Sequence, residues 1–288
     1  MNKPKYLFFF FLLYPILLFS QGKVTESIVM KSKILSKEVR YSIYLPEDYE
    51  TSHRSYPVLF LLHGYTDDET AWIQFGEVQK TADKLISQGE IPPMIIVMPD
   101  AGKTWYVNDY KGQILYEDMF IKEFIPYVEN IYRIRKSKEF RAVGGLSMGG
   151  FGALYYAMKH PDLFSSCIAL SAGVHVDSTM IRKLKAGSNN LVEVFGPMKG
   201  DSLPEYWKEN NILTLAENCS VNQLSSVHYY IDCGDKDALI VGNSTLNNIF
   251  MRRKIPHEFR VRSGEHNWTY WRTGIIEGLI FAGNYFHR

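Results

Sequence analysis

The feature that most constrains the fold is a series of short apolar runs that alternate with segments of helical spacing. The runs are bounded by Gly, Pro or Asp, and they read VLFLL at 58–62, MIIVM at 94–98, FRAVG at 140–144, CIAL at 167–170, HYYID at 228–232 and EFRVR at 258–262. Nearly continuous apolar runs of this length are typical of strands buried on both faces of a parallel sheet. The alternation predicts an α/β fold with a mostly parallel central sheet and helices on both faces.

The rest of the chain adds a hairpin, two helices and an insertion to this prediction. Residues 26–31 and 39–45 are predicted as paired strands, because the second segment alternates polar and apolar residues. Segments 115–132 and 270–285 place apolar residues along one stripe and are predicted as helices that pack on the sheet. Residues from about 176 to 226 carry few strand signals, so we expect a variable, irregular and partly helical insertion that forms a lid or pocket wall.

The beginning of the chain has the pattern of an export signal. Two lysines precede an apolar run at positions 6–19, and the small residue Ser20 follows. This order is typical of a cleaved secretory signal peptide, and the run is shorter than the ~20 residues that span a bilayer. We therefore expect a signal peptide at 1–21, a single domain at 22–288, and a periplasmic or secreted mature protein without stable membrane insertion.

Charge and cysteine content restrict the partners. The 288 residues include 32 basic and 31 acidic side chains, a formal net charge of +1, with no block of like charge. Such a balance argues against nucleic acid or an anionic membrane surface as a partner. The three cysteines, Cys167, Cys219 and Cys233, have no C-x-x-C spacing, so neither a zinc site nor a particular disulfide is predicted.

One motif points to nucleophilic chemistry. The sequence GLSMG at 145–149 fits G-x-S-x-G, follows a predicted strand and precedes the helix-like segment FGALYYAMKHP. In this context the serine lies on a sharp, strained turn from strand to helix, and the flanking glycines let neighbouring chain pass without a Cβ clash. The N-terminus of the following helix directs backbone N–H groups at the exposed hydroxyl. The pattern predicts Ser147 as a nucleophile.

A nucleophile of this kind needs an oxyanion hole, which is a pair of donors aimed at the oxygen that becomes negative when a carbonyl is attacked. One donor is predicted to be the backbone N–H of Met148, the residue after the nucleophile. The second is expected in a loop after an early strand, and the run at 58–62 leads directly into His63, Gly64 and Tyr65. We assign the second donor to the N–H of Tyr65 and interpret His63 as a residue that shapes the turn.

The general base and its acid are expected after Ser147, in the chain order Ser, Asp or Glu, His. His266 lies in a short loop between the strand at 258–262 and the last helix, so it is predicted as the base. The acid is expected after the strand at 228–232, where three carboxylates compete, namely Asp232, Asp235 and Asp237. Asp232 ends the strand itself, and spacing alone does not separate Asp235 from Asp237.

These motifs resemble the esterase-D-like group of α/β-hydrolases, which holds feruloyl esterases, tributyrin esterases, S-formylglutathione hydrolases and mycolyltransferases. The resemblance spans roughly 35–285 and rests on LLHG at 61–64, MPDAGKTWYVND at 98–109, GGLSMGGFGAL at 144–154, FGP and EYW within 195–207, CGDKD at 233–237 and GEHNWTYW at 264–271. It implies the α/β-hydrolase fold. The family's C-G-x-x-D motif ends in the catalytic acid, which selects Asp237, and its G-x-H-x-x-x-x-W ending supports His266.

The same resemblance implies a function. It suggests a serine carboxylic-ester hydrolase that works through an acyl-enzyme on Ser147, on small-molecule or polysaccharide esters such as feruloyl or short-chain acyl esters of carbohydrates. No metal or organic cofactor is required by this chemistry. The segment at 98–109 resembles the loop that borders the substrate cleft, so Trp105 and Tyr106 are candidate substrate-binding residues.

The chain departs from the family's pattern in places, and two other functions remain open. The oxyanion loop HGYTDDETAW differs from the glycine-rich or Thr-Cys versions of many relatives, and the signal peptide argues against a hydrolase of cytosolic formylglutathione. An acyltransferase of the mycolyltransferase type would pass the acyl group to a sugar hydroxyl with the same residues. A non-catalytic carbohydrate-binding relative would keep the fold, but it would have no need of a nucleophile, base and acid together.

Overall fold

The computed structural model describes residues 21–286, so the predicted signal peptide, apart from Gln21, lies outside the described residues. The described chain forms one eight-stranded sheet in the order β1-β2-β4-β3-β5-β6-β7-β8. The strands are β1 (Lys23–Ser32), β2 (Lys37–Leu45), β3 (Val58–Leu62), β4 (Ile95–Pro99), β5 (Arg141–Leu146), β6 (Ser166–Leu170), β7 (His228–Gly234) and β8 (His257–Arg262). Strand β2 pairs antiparallel with β1 and β4, and the other neighbouring pairs are parallel. The predicted mostly parallel sheet is confirmed.

The burial of the strands follows their composition. Every residue of β3, β4, β5 and β6 is buried, as expected for apolar runs covered by helices on both faces. The outer strands β1 and β8 are mostly exposed or half-buried, which matches their mixture of charged and apolar residues. The buried strands at the centre of the sheet therefore bring their carboxyl ends together at one edge.

Helices cover both faces of the sheet, as predicted. Their bounds are α1 (Ala71–Gln74), α2 (Val78–Ser87), α3 (Tyr116–Met119), α4 (Ile125–Ile131), α5 (Met148–Lys159), α6 (Asp177–Lys185), α7 (Asn189–Phe195), α8 (Glu205–Asn210), α9 (Ile212–Asn218), α10 (Val221–Ser225), α11 (Ile240–Arg253) and α12 (Trp268–Phe286). Side chains of α1, α2 and α12 form the core on one face, and the helices from α3 to α11 form the larger core on the other. Within residues 21–286, none of these helices has the length and apolar character needed to span a bilayer.

The predicted helix at 115–132 differs from its expected form. It is divided into α3, a five-residue π-helical segment at Phe120–Phe124, and α4. Pro126 has no N–H to donate to the preceding turn, and the wider π turn directly before it accommodates the missing bond. The apolar stripe survives this change, because Phe120 and Phe124 are both fully buried.

The region between β6 and β7 is more regular than expected. It contains α6 to α10, five short helices where we expected an irregular, partly helical segment. We call residues 176–226 the insertion. Buried side chains such as Phe195 and Trp207 pack it onto the larger core, and the Tyr155 hydroxyl lies 2.8 Å from both Glu117 Oε2 on α3 and Asn210 Oδ1 on α8. The insertion is thus anchored to the scaffold over the carboxyl ends of the strands.

Candidate active site

Ser147 lies on the turn between β5 and α5, where the sequence placed it. Its backbone has φ 53° and ψ −115°, a strained conformation for a residue with a side chain. A Cβ on Gly145 would lie 2.5 Å from the backbone of Gly149, and a Cβ on Gly149 would lie 2.4 Å from the carbonyl oxygen of Leu62. Two glycines are therefore needed for β3, β5 and α5 to approach one another around the serine.

A histidine bridges this serine to a buried carboxylate. His266 Nε2 lies 2.9 Å from Ser147 Oγ, and His266 Nδ1 lies 2.7 Å from Asp237 Oδ2. Because an ionised carboxylate only accepts hydrogen bonds, Nδ1 carries the proton and Nε2 is free to accept the hydroxyl proton of the serine. The ring of Trp271 packs edge-on against the imidazole, with ring centroids 4.8 Å apart. The arrangement can deprotonate Ser147 and return the proton to a leaving group.

Asp237 is held as a carboxylate. Its side chain is buried, and Oδ1 accepts the backbone N–H of Leu239 at 2.8 Å while Oδ2 faces His266. Burial alone would raise the pKa of Asp237, but the hydrogen bonds from His266 and Leu239 outweigh it and hold the pKa below its ordinary value. The charge needed to orient and stabilise the imidazole is therefore present at neutral pH.

The other two candidate carboxylates have different partners. Asp235 accepts the backbone N–H of Gly264 at 2.9 Å, and the N–H of Lys236 donates to the Gly264 carbonyl at 3.0 Å, so this segment ties the loop after β7 to the loop that carries the histidine. Asp232 is buried and accepts hydrogen bonds from Arg262 Nε at 2.8 Å and the Tyr230 hydroxyl at 3.1 Å. Of the three, the structure brings Asp237 to the imidazole.

One predicted oxyanion donor, Tyr65, precedes the serine in the chain and follows β3, and the other, Met148, directly follows the serine. Met148 begins α5, and the first backbone bond of that turn is donated by Phe151 to the carbonyl of Ser147 at 3.0 Å. The N–H of Met148 therefore precedes the first intrahelical bond and has no partner within the helix. Tyr65 lies in the turn after β3, which is closed by the N–H of Asp67 on the Gly64 carbonyl at 3.2 Å.

His63 shapes this turn, as interpreted from the sequence. Its ring is 1% exposed, and Nδ1 lies 2.7 Å from the carbonyl oxygen of Gly64 while Nε2 lies 2.9 Å from the backbone nitrogen of Ala101. The carbonyl can only accept and the N–H can only donate, which fixes a neutral ring with the proton on Nδ1. His63 thereby joins the loop after β3 to the loop after β4.

Two cavities meet at the serine. The first cavity, of about 570 Å³, is bordered by Ser147, His266, Tyr65, Trp105 and residues 187–191 of the insertion. The second cavity, of about 560 Å³, lies against the same serine and histidine and is bordered by Asp67, Phe75, Trp268 and Trp271. Both volumes are in the range of small-molecule sites, ~300–1,000 Å³. An ester bound at Ser147 therefore has room for one substituent on each side.

The two aromatic candidates of the loop after β4 have different positions. Trp105 borders the first cavity, and its indole Nε1 donates to Asn190 Oδ1 of the insertion at 3.1 Å. Tyr106 is 0% exposed and donates its hydroxyl to the carbonyl of His63 at 3.0 Å. The expectation that Tyr106 contacts substrate does not match this position: the side chain supports the loop after β3 from within the core.

Four of the eight described non-glycine residues with positive φ lie around this site. Ser147, Trp105, Tyr106 and Ser171 have φ of 53°, 55°, 62° and 45°, values that side-chain-bearing residues rarely adopt. All four follow the carboxyl ends of β4, β5 and β6. The loops at this edge of the sheet are therefore bent more tightly than their residue types favour.

Sequence reasoning missed the residues that complete the first cavity. His175, Lys183, Asn190 and Leu191 all border it. The insertion was expected to supply a pocket wall, but no motif marked which of its residues face the serine. His175 follows β6 by five positions and offered no signal beyond being a lone histidine near a strand end.

The chain matches a known family over most of its length. The Esterase family model matches residues 32–282. An esterase of Mycobacterium tuberculosis is 42% identical over 131 residues, which are 43% of this chain and 27% of that protein. An acetyl esterase of Caldicellulosiruptor saccharolyticus is 24% identical over 260 residues, which are 86% of this chain and 94% of that protein. The match therefore covers about a quarter of the mycobacterial protein and nearly all of the acetyl esterase.

Solved structures agree with the family assignment. A ferulic acid esterase superposes with a TM-score of 0.81 at 30% sequence identity, covering 92% of this chain and 99% of that one. FphF, a fluorophosphonate-binding serine hydrolase of Staphylococcus aureus, superposes with a TM-score of 0.78 at 23% identity, covering the same shares of both chains, and shows the shared fold. The chain therefore belongs to the Esterase family of enzymes and has the α/β-hydrolase fold.

Proposed function

We propose that this protein is a serine carboxylic-ester hydrolase that acts through an acyl-enzyme on Ser147, with His266 as general base and Asp237 as its acid partner. The observation that carries the proposal is the imidazole of His266, which lies 2.9 Å from Ser147 Oγ and 2.7 Å from Asp237 Oδ2. Nucleophile, base and orienting acid within hydrogen-bond reach of one another are the signature of covalent acyl transfer.

The proposed reaction has two halves. Ser147 Oγ attacks the ester carbonyl as its proton passes to His266 Nε2, and the carbonyl oxygen becomes an oxyanion held by the N–H groups of Met148 and Tyr65. The tetrahedral species collapses, the bond to the alcohol breaks, and the alcohol leaves with the proton from His266. Water then attacks the acyl-enzyme by the same route, which releases the carboxylic acid and restores the serine. Asp237 stays ionised throughout and stabilises the transient imidazolium.

The shape of the site favours an ester with a bulky acyl group and a carbohydrate alcohol. Tyr65 and Trp105 give the first cavity aromatic walls, which suit a flat acyl group such as feruloyl. The structural relative is a ferulic acid esterase and a full-length relative is an acetyl esterase, so feruloyl and short-chain acyl esters are the two classes to compare. From the signal-peptide pattern of residues 1–21 and the resemblance described above, we place the activity on carbohydrate esters outside the cytoplasm.

The test compares initial rates on p-nitrophenyl acetate, methyl ferulate and acetylated xylan for residues 22–288 and for Ser147→Ala. We expect the variant to lose roughly 10⁴–10⁶-fold in kcat, since removal of a serine nucleophile has an effect of this size. If both proteins are equally inert on every ester, the catalytic proposal is wrong and a binding role takes its place. If added sugar diverts the acyl group from free acid to a new ester, the protein is an acyltransferase.

Export is a separate part of the proposal. The basic start and apolar run of residues 1–21 have the pattern of a cleaved signal peptide. The intact mass of the full chain, recovered after expression in a bacterial host, should correspond to a protein that begins near Gln21 or Gly22. A mass that includes the first 20 residues would contradict cleavage.

A further inference from the structure

His175 is a buried polar side chain that the proposed mechanism does not use. It borders the first cavity and is only 3% exposed. Within residues 21–286, neither of its ring nitrogens has a hydrogen-bond partner. Buried polar groups are nearly always hydrogen-bonded, and an unpaired one is costly to the folded state. Both nitrogens of this imidazole are buried, and a ligand in the cavity that reaches one of them would supply the missing hydrogen bond.

The ring is neutral at physiological pH. Burial lowers the pKa of His175 to about 3, and the nearby ammonium group of Lys183 acts in the same direction. A neutral imidazole has one N–H donor and one acceptor nitrogen, so its natural partner is a group that both donates and accepts. A hydroxyl is such a group, whereas a carboxylate only accepts.

The surroundings of the ring indicate what carries that hydroxyl. The ring of Trp105 contacts residues near both the serine and His175. It packs against Gly173, whose N–H donates to the Ser147 carbonyl at 2.8 Å, and its centroid is 5.9 Å from that of His175. A flat ring that extends from Ser147 along Trp105 would place its far end near the imidazole. Since both ring nitrogens are buried in the observed orientation, the contact requires a rotation of His175 about its Cβ–Cγ bond that turns a nitrogen into the cavity.

The difference between the two cavities assigns this ring to the acyl half of the ester. The second cavity is bordered by Phe75, which is 51% exposed, and so it opens at the surface, where a carbohydrate chain can continue. The first cavity also reaches the surface, at Gly187 and Asn189, but it has a buried wall formed by Trp105 and His175, which suits a flat group of finite size. We propose that His175 is a specificity-determining residue that hydrogen-bonds a ring hydroxyl of an aromatic acyl group. This proposal rests on the proposed ester hydrolysis at Ser147.

The test is the ratio of kcat/KM for methyl 4-hydroxycinnamate to that for methyl cinnamate, which differ only in the ring hydroxyl. We expect a ratio of about ten for the wild type, the size of one hydrogen bond between neutral groups. In His175→Phe the ratio should fall to about one, while turnover of methyl cinnamate shows that the variant is folded and active. His175→Gln keeps a donor and an acceptor and should retain most of the preference.

Three results would overturn the proposal. The first is a wild-type ratio near one. The second is an equal loss on both substrates in His175→Phe, which would indicate that the ring only packs against neighbours such as Trp207. The third is a preference that changes when the methyl group is replaced by arabinose, because an acyl-side contact is independent of the alcohol.

A failure of the proposed ester hydrolysis can be distinguished from a failure of the proposed role of His175. If the wild type hydrolyses neither ester, binding of free 4-hydroxycinnamate and cinnamate is measured by quenching of tryptophan fluorescence in the wild type and in His175→Phe. A roughly tenfold tighter Kd for the hydroxylated acid, lost in the variant, would support the role of His175 without catalysis. Equal Kd values in both proteins would reject it.

Discussion

The loops at the carboxyl ends of the strands and the insertion form opposite sides of one site, and they are held in place by different interactions. On the strand side, backbone bonds fix the geometry: the N–H groups of Asp235 and Lys236 donate to the carbonyls of Arg262 and Gly264 and tie together the loops that carry His266 and Asp237. On the insertion side, side chains make contacts such as that of Asn190 with Trp105, beside a main-chain bond from the N–H of Tyr110 to the Val194 carbonyl. Main-chain bonds persist when side chains are substituted. We therefore expect sequence changes to alter the substrate preference more readily than the catalytic geometry.

The first prediction tests the strand side with two neighbouring carboxylates. Asp237→Asn should lower kcat about 10⁴-fold, because an amide facing His266 Nδ1 donates a hydrogen bond and leaves Nε2 protonated and unable to accept from Ser147. Asp235→Asn still accepts the N–H of Gly264 at an exposed position and should stay within about threefold of wild type. Initial rates on p-nitrophenyl acetate measure both. A larger loss in the Asp235 variant would reverse the assignment.

The second prediction concerns the anchor of the insertion. Glu117 is buried and contacts His160, Lys159 and Tyr155. Burial would raise its pKa, but the hydrogen bond from His160, the charge of Lys159 and the hydrogen bond from Tyr155 hold the pKa below its ordinary value. A lowered folded-state pKa gives stability that is present above the unfolded value of ~4.3 and is lost as pH falls through the folded value.

Glu117→Gln should therefore lower the free energy of unfolding by about 1–3 kcal/mol at pH 7, and by less at pH 4. Urea unfolding at the two pH values measures the difference. Glu47→Gln, at an exposed position, is the matched control and should change neither value appreciably. A loss that is the same at both pH values would show that the charge of Glu117 has no part in anchoring the insertion.

The third prediction tests the insertion side and has the smallest effect. Asn190→Ala removes the acceptor of the Trp105 indole N–H and the donor to the Lys103 carbonyl. We expect KM for methyl ferulate to rise about threefold to tenfold, the effect of one or two lost hydrogen bonds, with a smaller change for p-nitrophenyl acetate. Asn130→Ala, on the surface of α4, is the control. Equal increases for both esters would mean that Asn190 acts on the catalytic geometry and not on the acyl wall.

The same contrast explains what the sequence could predict. Ser147 and His266 lie at strand ends that apolar runs and glycines mark, so their positions followed from pattern and chain order. The choice of Asp237 over Asp235 required the family motif, because two residues of one turn differ only in where their side chains point. Tyr106 was misplaced for a similar reason: the sequence showed a loop aromatic, but its φ of 62° turns the ring into the core. Which residues border the first cavity, His175 among them, depends on how the short helices of the insertion pack, and local sequence patterns do not predict this packing.

The strained backbone around the serine bears on how readily the protein can be stabilised. Each residue held at positive φ costs of order 1–3 kcal/mol, and Ser147, Trp105, Tyr106 and Ser171 share this conformation. The rest of the fold offsets a sum that is comparable with the net stability of an ordinary domain, ~5–15 kcal/mol. Glycine would relieve this strain at Ser147 only by removing the proposed nucleophile, and at Trp105 and Tyr106 only by removing buried side chains from the core. A useful thermostable variant therefore has to gain its stability away from this edge of the sheet.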